Sequence, residues 1–417
     1  MYFCKRCSKI SRIFIFNAMR ENFLRQKNDK NAVLKKHIIR LCIDKGSYNI
    51  ADLSHLLGTS VPTVTKLVMA LIDEGFLVDL GKQDTSGGRR PSIYGLNPEA
   101  GFFIGVRIGR RHANICITDF KGEIVAFEDE IPFTMEPKVE AVHRVAEQLR
   151  HFVLSSGIPW RDLLGGGVSF TGRVNPFTGY SNLFSGPDQT DLGRILEEDL
   201  GIPVVIENDS RAMTYGEYVC GSAGGKENML FVNVNWGLGM GIIVNGHLYY
   251  GKSGYSGEFG HFPMLDNDKI CSCGKVGCLE TGASGSALHR MVLERLEAGR
   301  ASSLTTEYRK RGTVSLEEIL RAVGEEDVLA IQCVEEVGAL LGRAISGLIN
   351  VFNPEIVVLG GKVAKNNEYL MLSINSSIRK YAQNFVAKDT TIVFSELGRK
   401  AAPVGAALLS RALILGI

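Results

Sequence analysis

Residues 257–280 read GEFGHFPMLDNDKICSCGKVGCLE. His261, Cys271, Cys273 and Cys278 fall within eighteen residues of one another, with the carboxylates Glu258 and Glu280 at the margins. Three thiols at C-x-C-x4-C spacing and an upstream imidazole make a Cys3His set, which is the ligand set of a closed, tetrahedral structural zinc site. Gly274 and Gly277 allow the short loop to turn back so that the third thiol reaches the ion. The competing reading, a few buried free cysteines, leaves that spacing unexplained. The expected cofactor is therefore a structural Zn2+, and its mechanical effect is to pin the loop together with the two glutamates.

The length of 417 residues allows two or three domains, and 45% hydrophobic with 22% charged residues reads as a globular chain. No apolar run is long enough for a transmembrane helix. The N-terminus lacks the apolar core and cleavage site of a signal peptide. Nine cysteines, an odd number, suit a reducing cytoplasm better than a disulfide framework. The net charge of +2 conceals an asymmetry. Residues 1–100 hold 16 Lys and Arg against 9 Asp and Glu, whereas the remainder holds 31 against 36. A basic leader on an acidic body suggests that the first part meets a polyanion.

Residues 1–27 form a basic extension in which Cys4 and Cys7 make an isolated CxxC, and Met19 is an alternative start. From Asn28 to Lys45 apolar positions recur at helical spacing up to Gly46. Next come a short helix (Ile50 to Leu57), a turn at Gly58, Thr59 and Ser60, and a longer helix from Pro62 to Glu74. Leu53, Leu56, Val64, Leu67, Val68, Leu71 and Ile72 supply the apolar stripe. A turn this short forces a steep crossing, which is the geometry of a helix-turn-helix whose second helix enters the major groove. Ser60, Thr63, Thr65 and Lys66 face outward and suit phosphates and base edges. Two strands around KQDTSGGRRP form a wing with Arg89 and Arg90 at its tip. Residues 28–97 thus read as a winged helix-turn-helix that binds DNA.

At Pro98 to Gly101 the texture changes to alternating strands and helices. A β-meander, an amphipathic helix (Val139 to Ser155) and glycine-rich strands precede the Cys3His loop. A second set of strands and a long helix from Val328 to Asn350 surround and follow it. Two copies of a strand-rich unit followed by helices imply a duplicated α/β domain with a cleft between its halves.

The motifs ENDSRA (207–212), NWGLGMG (235–241), GEFGH with CSCGKVGCLE (257–280) and NPEIVVLGGKV (353–363) resemble those of the ROK family, which groups sugar-responsive repressors with sugar kinases. The resemblance covers residues 101–417, within a sugar-binding domain assigned to 98–417, and implies an actin-like, ribonuclease-H-like duplicated fold of two lobes. By it, His261, Cys271, Cys273 and Cys278 hold the zinc, and sugar contacts fall to Asn208, Asp209, Glu258, His261, Glu280, Asn182 and Gly172. In the family's kinases the residue matching Asp209 is the general base. A closed zinc site has no open position for chemistry, so the loop reads as part of a ligand sensor.

Departures from the family pattern select the branch. Kinases of the family carry Asp-x-Gly-Gly-Thr on the first strand; here Arg107 replaces the Asp, Arg110 the second Gly and Arg111 the Thr. A guanidinium where a carboxylate should hold metal, and long side chains where glycine lets backbone N–H groups approach phosphate, dismantle that pocket. Asn235 and Trp236 stand in a second phosphate loop that usually reads Gly-Thr-Gly. The expectation is a cytoplasmic, sugar-responsive transcription regulator, a repressor rather than an enzyme. It would bind palindromic operator DNA as a homodimer or tetramer and take a sugar or sugar derivative as effector, without contact to a membrane. The rival is an ATP-dependent sugar kinase with an appended DNA-binding domain.

Overall fold

The computed structural model describes residues 29–82, 91–134, 136, 138–182 and 191–416. Helix α1 (Lys30–Lys45) stops at Gly46, whose φ is +85°. After strand β1 (Ser47–Asn49), α2 (Ile50–Leu57) is capped by the Asn49 side chain and ends at left-handed Gly58. Helix α3 (Val61–Asp73) carries Pro62 in its first turn, where a missing N–H costs nothing. The axes of α2 and α3 meet at 113°. Leu53, Val64, Leu67, Val68 and Leu71 are buried as the stripe requires, but Leu56 is 50% exposed. In a two-turn helix the inward face runs through Leu53 and Leu57, and Leu56 sits at its edge. Strands β2 (Leu77–Lys82) and β3 (Ser92–Leu96) pair antiparallel, and β1 adds to the far side of β3. A three-residue strand carries no readable alternation, so β1 was not expected. Arg89, Arg90, Cys4 and Cys7 lie outside the described residues.

The body holds two five-stranded sheets of identical topology. In the first, β4 (Phe102–Ile108), β5 (His112–Asp119) and β6 (Ile124–Pro132) form the meander. Strands β7 (Leu163–Phe170) and β10 (Val204–Asn208) extend it in parallel, giving the order β10-β7-β4-β5-β6. Between them β8 (Val174–Asn175) and β9 (Tyr180–Ser181) make a small hairpin. In the second sheet, β11 (Met229–Val234), β12 (Leu238–Val244) and β13 (His247–Leu248) are antiparallel neighbours. Strands β14 (Ile356–Gly360) and β15 (Thr391–Phe394) extend it in parallel, giving β13-β12-β11-β14-β15. Each sheet thus places its first strand centrally, two antiparallel strands on one side and two parallel strands on the other. That is the duplication expected from the strand pattern.

Helices α4 (Val139–Ser156) and α5 (Leu192–Leu200) bury their apolar faces on the first sheet. On the second lie α7 (Gly285–Glu297), α9 (Leu316–Gly324), α10 (Val328–Phe352) and α11 (Glu368–Tyr381), with α8 (Thr305–Arg311) before α9. Two helices tie the lobes together: α6 (Asp209–Cys220), directly after β10, and the last helix, α12 (Ala401–Leu415). Their backbones nearly touch. A Cβ on Gly405 of α12 would lie 1.7 Å from Ala212 O of α6, and α12 approaches the first sheet as closely, since a Cβ on Gly105 of β4 would lie 1.9 Å from Pro403 O. The winged head does not stand apart. Phe76, Tyr94 and Leu96 share one core with Phe103, Phe120, Leu408 and Leu415 of the body.

Candidate functional site

The Cys3His residues converge. The ligand atoms of His261, Cys271, Cys273 and Cys278 all lie within 4.8 Å of one another. His261 Nδ1 is 3.5 Å from Cys271 Sγ, and Cys273 Sγ is 3.6 Å from Cys278 Sγ. A tetrahedral ion with thiolate bonds of about 2.3 Å sets its ligands about 3.8 Å apart, so this cluster fits a metal ion. Gly274 and Gly277 have φ of +83° and +77°, which turns the loop back as expected. Burial, reinforced by the two neighbouring thiols, pushes the Cys278 thiol up to about 12.

His261 faces the cleft with its other nitrogen. Nε2 lies 3.6 Å from Glu258 Oε2, and Arg173 Nε lies 3.9 Å from the same oxygen. Glu280 spans from the loop to the second sheet. Its Oε2 accepts from Leu238 N at 2.9 Å, and its Oε1 accepts from Ser272 Oγ at 3.4 Å. Gly237 leaves room for it, because a Cβ there would lie 2.8 Å from Glu280 Oε2.

Across the cleft, Asn208 caps α6 by accepting from Ser210 N and Arg211 N, and its amide donates to Gly172 O at 2.8 Å. Asn182 Oδ1 accepts from Arg173 N at 2.8 Å and so closes the β8–β9 hairpin. Asp209 is nearly buried at the first position of α6, where a negative charge is favoured by the helix dipole. Its Oδ2 accepts from Arg107 Nε at 3.3 Å and from Arg107 Nη2 at 3.1 Å. This pairing was not foreseen from the sequence.

A further group escaped the sequence reading. Glu207, near the end of β10, and Arg211, in the first turn of α6, are both buried and paired, with Arg211 Nε 2.7 Å from Glu207 Oε1. Burial raises the Glu207 carboxyl above its ordinary value against the pull of Arg211. The Arg211 guanidinium lies over the Tyr250 ring, 5.7 Å from its centroid, and donates to Val174 O. Tyr250 follows the second sheet and lines a groove of about 600 Å³ with Tyr249, Glu258, His261, Phe262 and Phe352. Burial, with the Glu207 charge, raises the Tyr250 phenol. The i, i+4 spacing of Glu207 and Arg211 was the available signal; the cross-lobe partner had none.

The segments that depart from the kinase pattern are placed as follows in the fold. Arg110 and Arg111 are exposed on the β4–β5 turn. Asn235 O and Trp236 O accept from Gly285 N and Ser286 N, which fills the start of α7. The Trp236 indole packs against His289 at 5.4 Å. In the head, Ser60 and Lys66 are exposed and Thr63 and Thr65 half-buried. Ser60 Oγ and Thr63 Oγ1 pair at 2.9 Å, and Thr65 Oγ1 donates back to Val61 O at 2.8 Å.

The model of the family described as "ROK family" matches residues 103–412. The chain is 29% identical over 390 residues to the xylose repressor of Bacillus subtilis, covering 92% of this chain and 95% of that one. It is 30% identical over 370 residues to the DNA-binding transcriptional dual regulator NagC of Escherichia coli, covering 88% and 89%. Among solved structures, a ROK family transcriptional regulator, a homologue of the E. coli MLC protein, superposes with a TM-score of 0.77 at 28% identity. It spans 92% of this chain and 96% of its own. A ROK family glucokinase from Streptomyces griseus, solved with glucose and AMPPNP, gives a TM-score of 0.63 at 27% identity. It spans 99% of its own chain but 75% of this one.

Proposed function

The chain belongs to the ROK family, and from that premise we propose that it is a sugar-responsive, DNA-binding transcriptional repressor of carbohydrate genes and that it is not a kinase. The observation that carries the second half is the Arg107–Asp209 pair. In a sugar kinase of this fold the carboxylate at Asp209 takes a proton from the attacking hydroxyl, and a metal–phosphate group occupies the space beside it. Here a guanidinium fills that space and holds one oxygen of the carboxylate. Asp209, Glu258 and Glu280 are acceptors suited to a polyol, and two of the three segments that hold ATP in the kinases are altered, at Arg107 to Arg111 and at Asn235 and Trp236, while Gly360-Gly361-Lys362 is retained. The regulators named above align over nearly the whole chain, head included, whereas the glucokinase spans 75% of it.

His261, Cys271, Cys273 and Cys278 would hold zinc, and their thiolate-rich set suits that ion. The ion supplies structural rigidity. His261 passes it on, with one ring nitrogen toward the thiols and the other toward Glu258. Among the described residues no helix is long and apolar enough to cross a membrane, in keeping with a cytoplasmic regulator.

The effector enters between the lobes and meets Asp209 on α6 and Glu258 beside the metal loop. The C-terminal half of α6 carries Tyr215 and Val219 into the core that holds the head. A sugar that binds the closed cleft more tightly therefore favours one placement of the two heads of a dimer on palindromic half-sites. A preference of about 3 kcal/mol changes operator affinity roughly a hundredfold. The test is nuclease protection of the DNA upstream of its own coding sequence, with and without D-xylose, D-glucose and N-acetylglucosamine. A protected palindrome released by one of these sugars is expected. No protection at moderate salt, or ATP turnover that depends on a hexose, overturns the reading.

A further inference from the structure

Two of the carboxylates proposed to meet the sugar, Asp209 and Glu258, each have an arginine beside them. Asp209 Oδ2 takes two donors from Arg107, and Glu258 Oε2 lies 3.9 Å from Arg173 Nε. The Arg107 side chain is 21% exposed and that of Asp209 8%, so this pair is largely withdrawn from water. Its partners are covalently distant: Arg107 lies on central strand β4, and Asp209 opens α6. Geometry preserves the placement. Arg107 Nη1 runs past Gly109, where an added Cβ would lie 3.3 Å from that nitrogen and 3.0 Å from His112 O. Among the described residues no acceptor is paired with Nη1, and Asp209 Oδ1 has only the 3.5 Å contact from the Asn208 amide. The pair thus presents one unused donor edge and one nearly unused acceptor oxygen, with its net charge cancelled.

We propose that Arg107 is a positioning and selectivity residue of the effector site: it and Asp209 act as one donor–acceptor unit that recognises a hydroxyl of an uncharged sugar. A hydroxyl both donates and accepts, so it can accept from Arg107 and donate to Asp209 at once. A phosphate only accepts and brings charge, and at a pair already neutral it would have to compete with Asp209 for the guanidinium. The residue that removes the kinase base from service therefore sharpens recognition of the ligand. Asp209 is held in one orientation before the sugar arrives, which lowers the ordering cost of binding.

This inference rests on the sugar-responsive reading, and the experiment separates the two. Full-length protein, wild type and Arg107→Ala, Arg107→Lys, Asp209→Asn and the Arg107→Ala/Asp209→Asn double variant, is titrated calorimetrically. The probes are D-xylose, D-glucose, N-acetylglucosamine and D-glucose 6-phosphate. Folding of each variant is checked by thermal melting and metal content. Wild type should bind an uncharged sugar in preference to the phosphorylated one. Arg107→Ala should weaken that binding about tenfold or more, and Arg107→Lys, which keeps the charge without the fork, should recover part of it. In the double variant the loss should be no greater than in Asp209→Asn alone, because each substitution disables the same unit. If Arg107→Ala fails to fold, Arg107→Lys carries the test, with partial loss expected. Wild type that binds none of the probes overturns the sugar reading and this proposal together. A sugar bound equally by wild type and the Arg107 variants, losses that multiply in the double variant, or preference for the 6-phosphate overturns this proposal alone.

Discussion

His261 joins the two chemistries of the cleft in a single ring, with Nδ1 among the thiols and Nε2 toward Glu258. Removing one thiol should therefore be felt at the sugar. Cys273→Ser is expected to lower metal content below stoichiometric, to destabilise the protein by on the order of 3 kcal/mol and to weaken sugar binding in the same sample. Metal analysis beside calorimetry checks this; stoichiometric metal with intact sugar affinity counts against it. The convergence of His261, Cys271, Cys273 and Cys278 was legible in the sequence because their spacing is chemically unusual, whereas Asp209, Glu258 and Glu280 were singled out as sugar contacts by the family resemblance alone. Their arginine partners were not. Arg107 and Asp209 are separated by 102 positions, and nothing local in GVRIGRRHA says which carboxylate its guanidinium will find. The replacement of an acid by Arg107 was visible; its consequence needed three dimensions.

At the level of elements, the longer strands and the long helix α10 were readable from apolar runs and periodicity, whereas the short strands β1, β8, β9 and β15 and the helix α6 were not. In α6 the residues Asp209 to Thr214, Gly216 and Glu217 are all buried. A helix covered on nearly every side loses the amphipathic signal by which helices are found. Its packing against α12 depends on backbone contact at Gly405, so Gly405→Ala should push the two helices apart. The expected cost is about 3 kcal/mol or more, at the upper end for overpacking, measured as a drop in the urea midpoint. A second element offers a check on electrostatics. Ser315 and Glu318 form a capping box at the start of α9. The Ser315 backbone N–H, with Arg311, holds the Glu318 carboxyl down to about 2. Because this folded-state value lies below the unfolded one of about 4.3, the contribution is complete above that value and fades as pH falls toward about 2. Glu318→Ala should cost about 1 kcal/mol at neutral pH, and its gap from wild type should narrow in urea titrations from about pH 6 to about pH 3.

At the scale of the whole molecule, the head and the first lobe share a core, a fact no linker composition announced. Phe120, fully buried, sits 5.5 Å from Phe76 of the head and 6.2 Å from Phe103 of β4. The Asn97 amide, at the junction, donates to Gly75 O at 2.9 Å. A head that shares this core is linked by side-chain packing to β4 and α12. Coupling between sugar and DNA is then a single free energy seen from two sides. Whatever factor the sugar takes from operator affinity, operator DNA must take from sugar affinity. Fluorescence anisotropy of labelled operator in saturating sugar, and calorimetry of sugar with and without operator, should give the same factor within error. Phe120→Leu keeps an apolar side chain but is smaller and removes the aromatic contacts, at about 1–1.5 kcal/mol. It should reduce that factor while leaving sugar affinity in the absence of DNA unchanged, because Phe120 belongs to the head's core and not to the cleft. If sugar affinity falls and the coupling factor stays, transmission runs by a route other than this shared core.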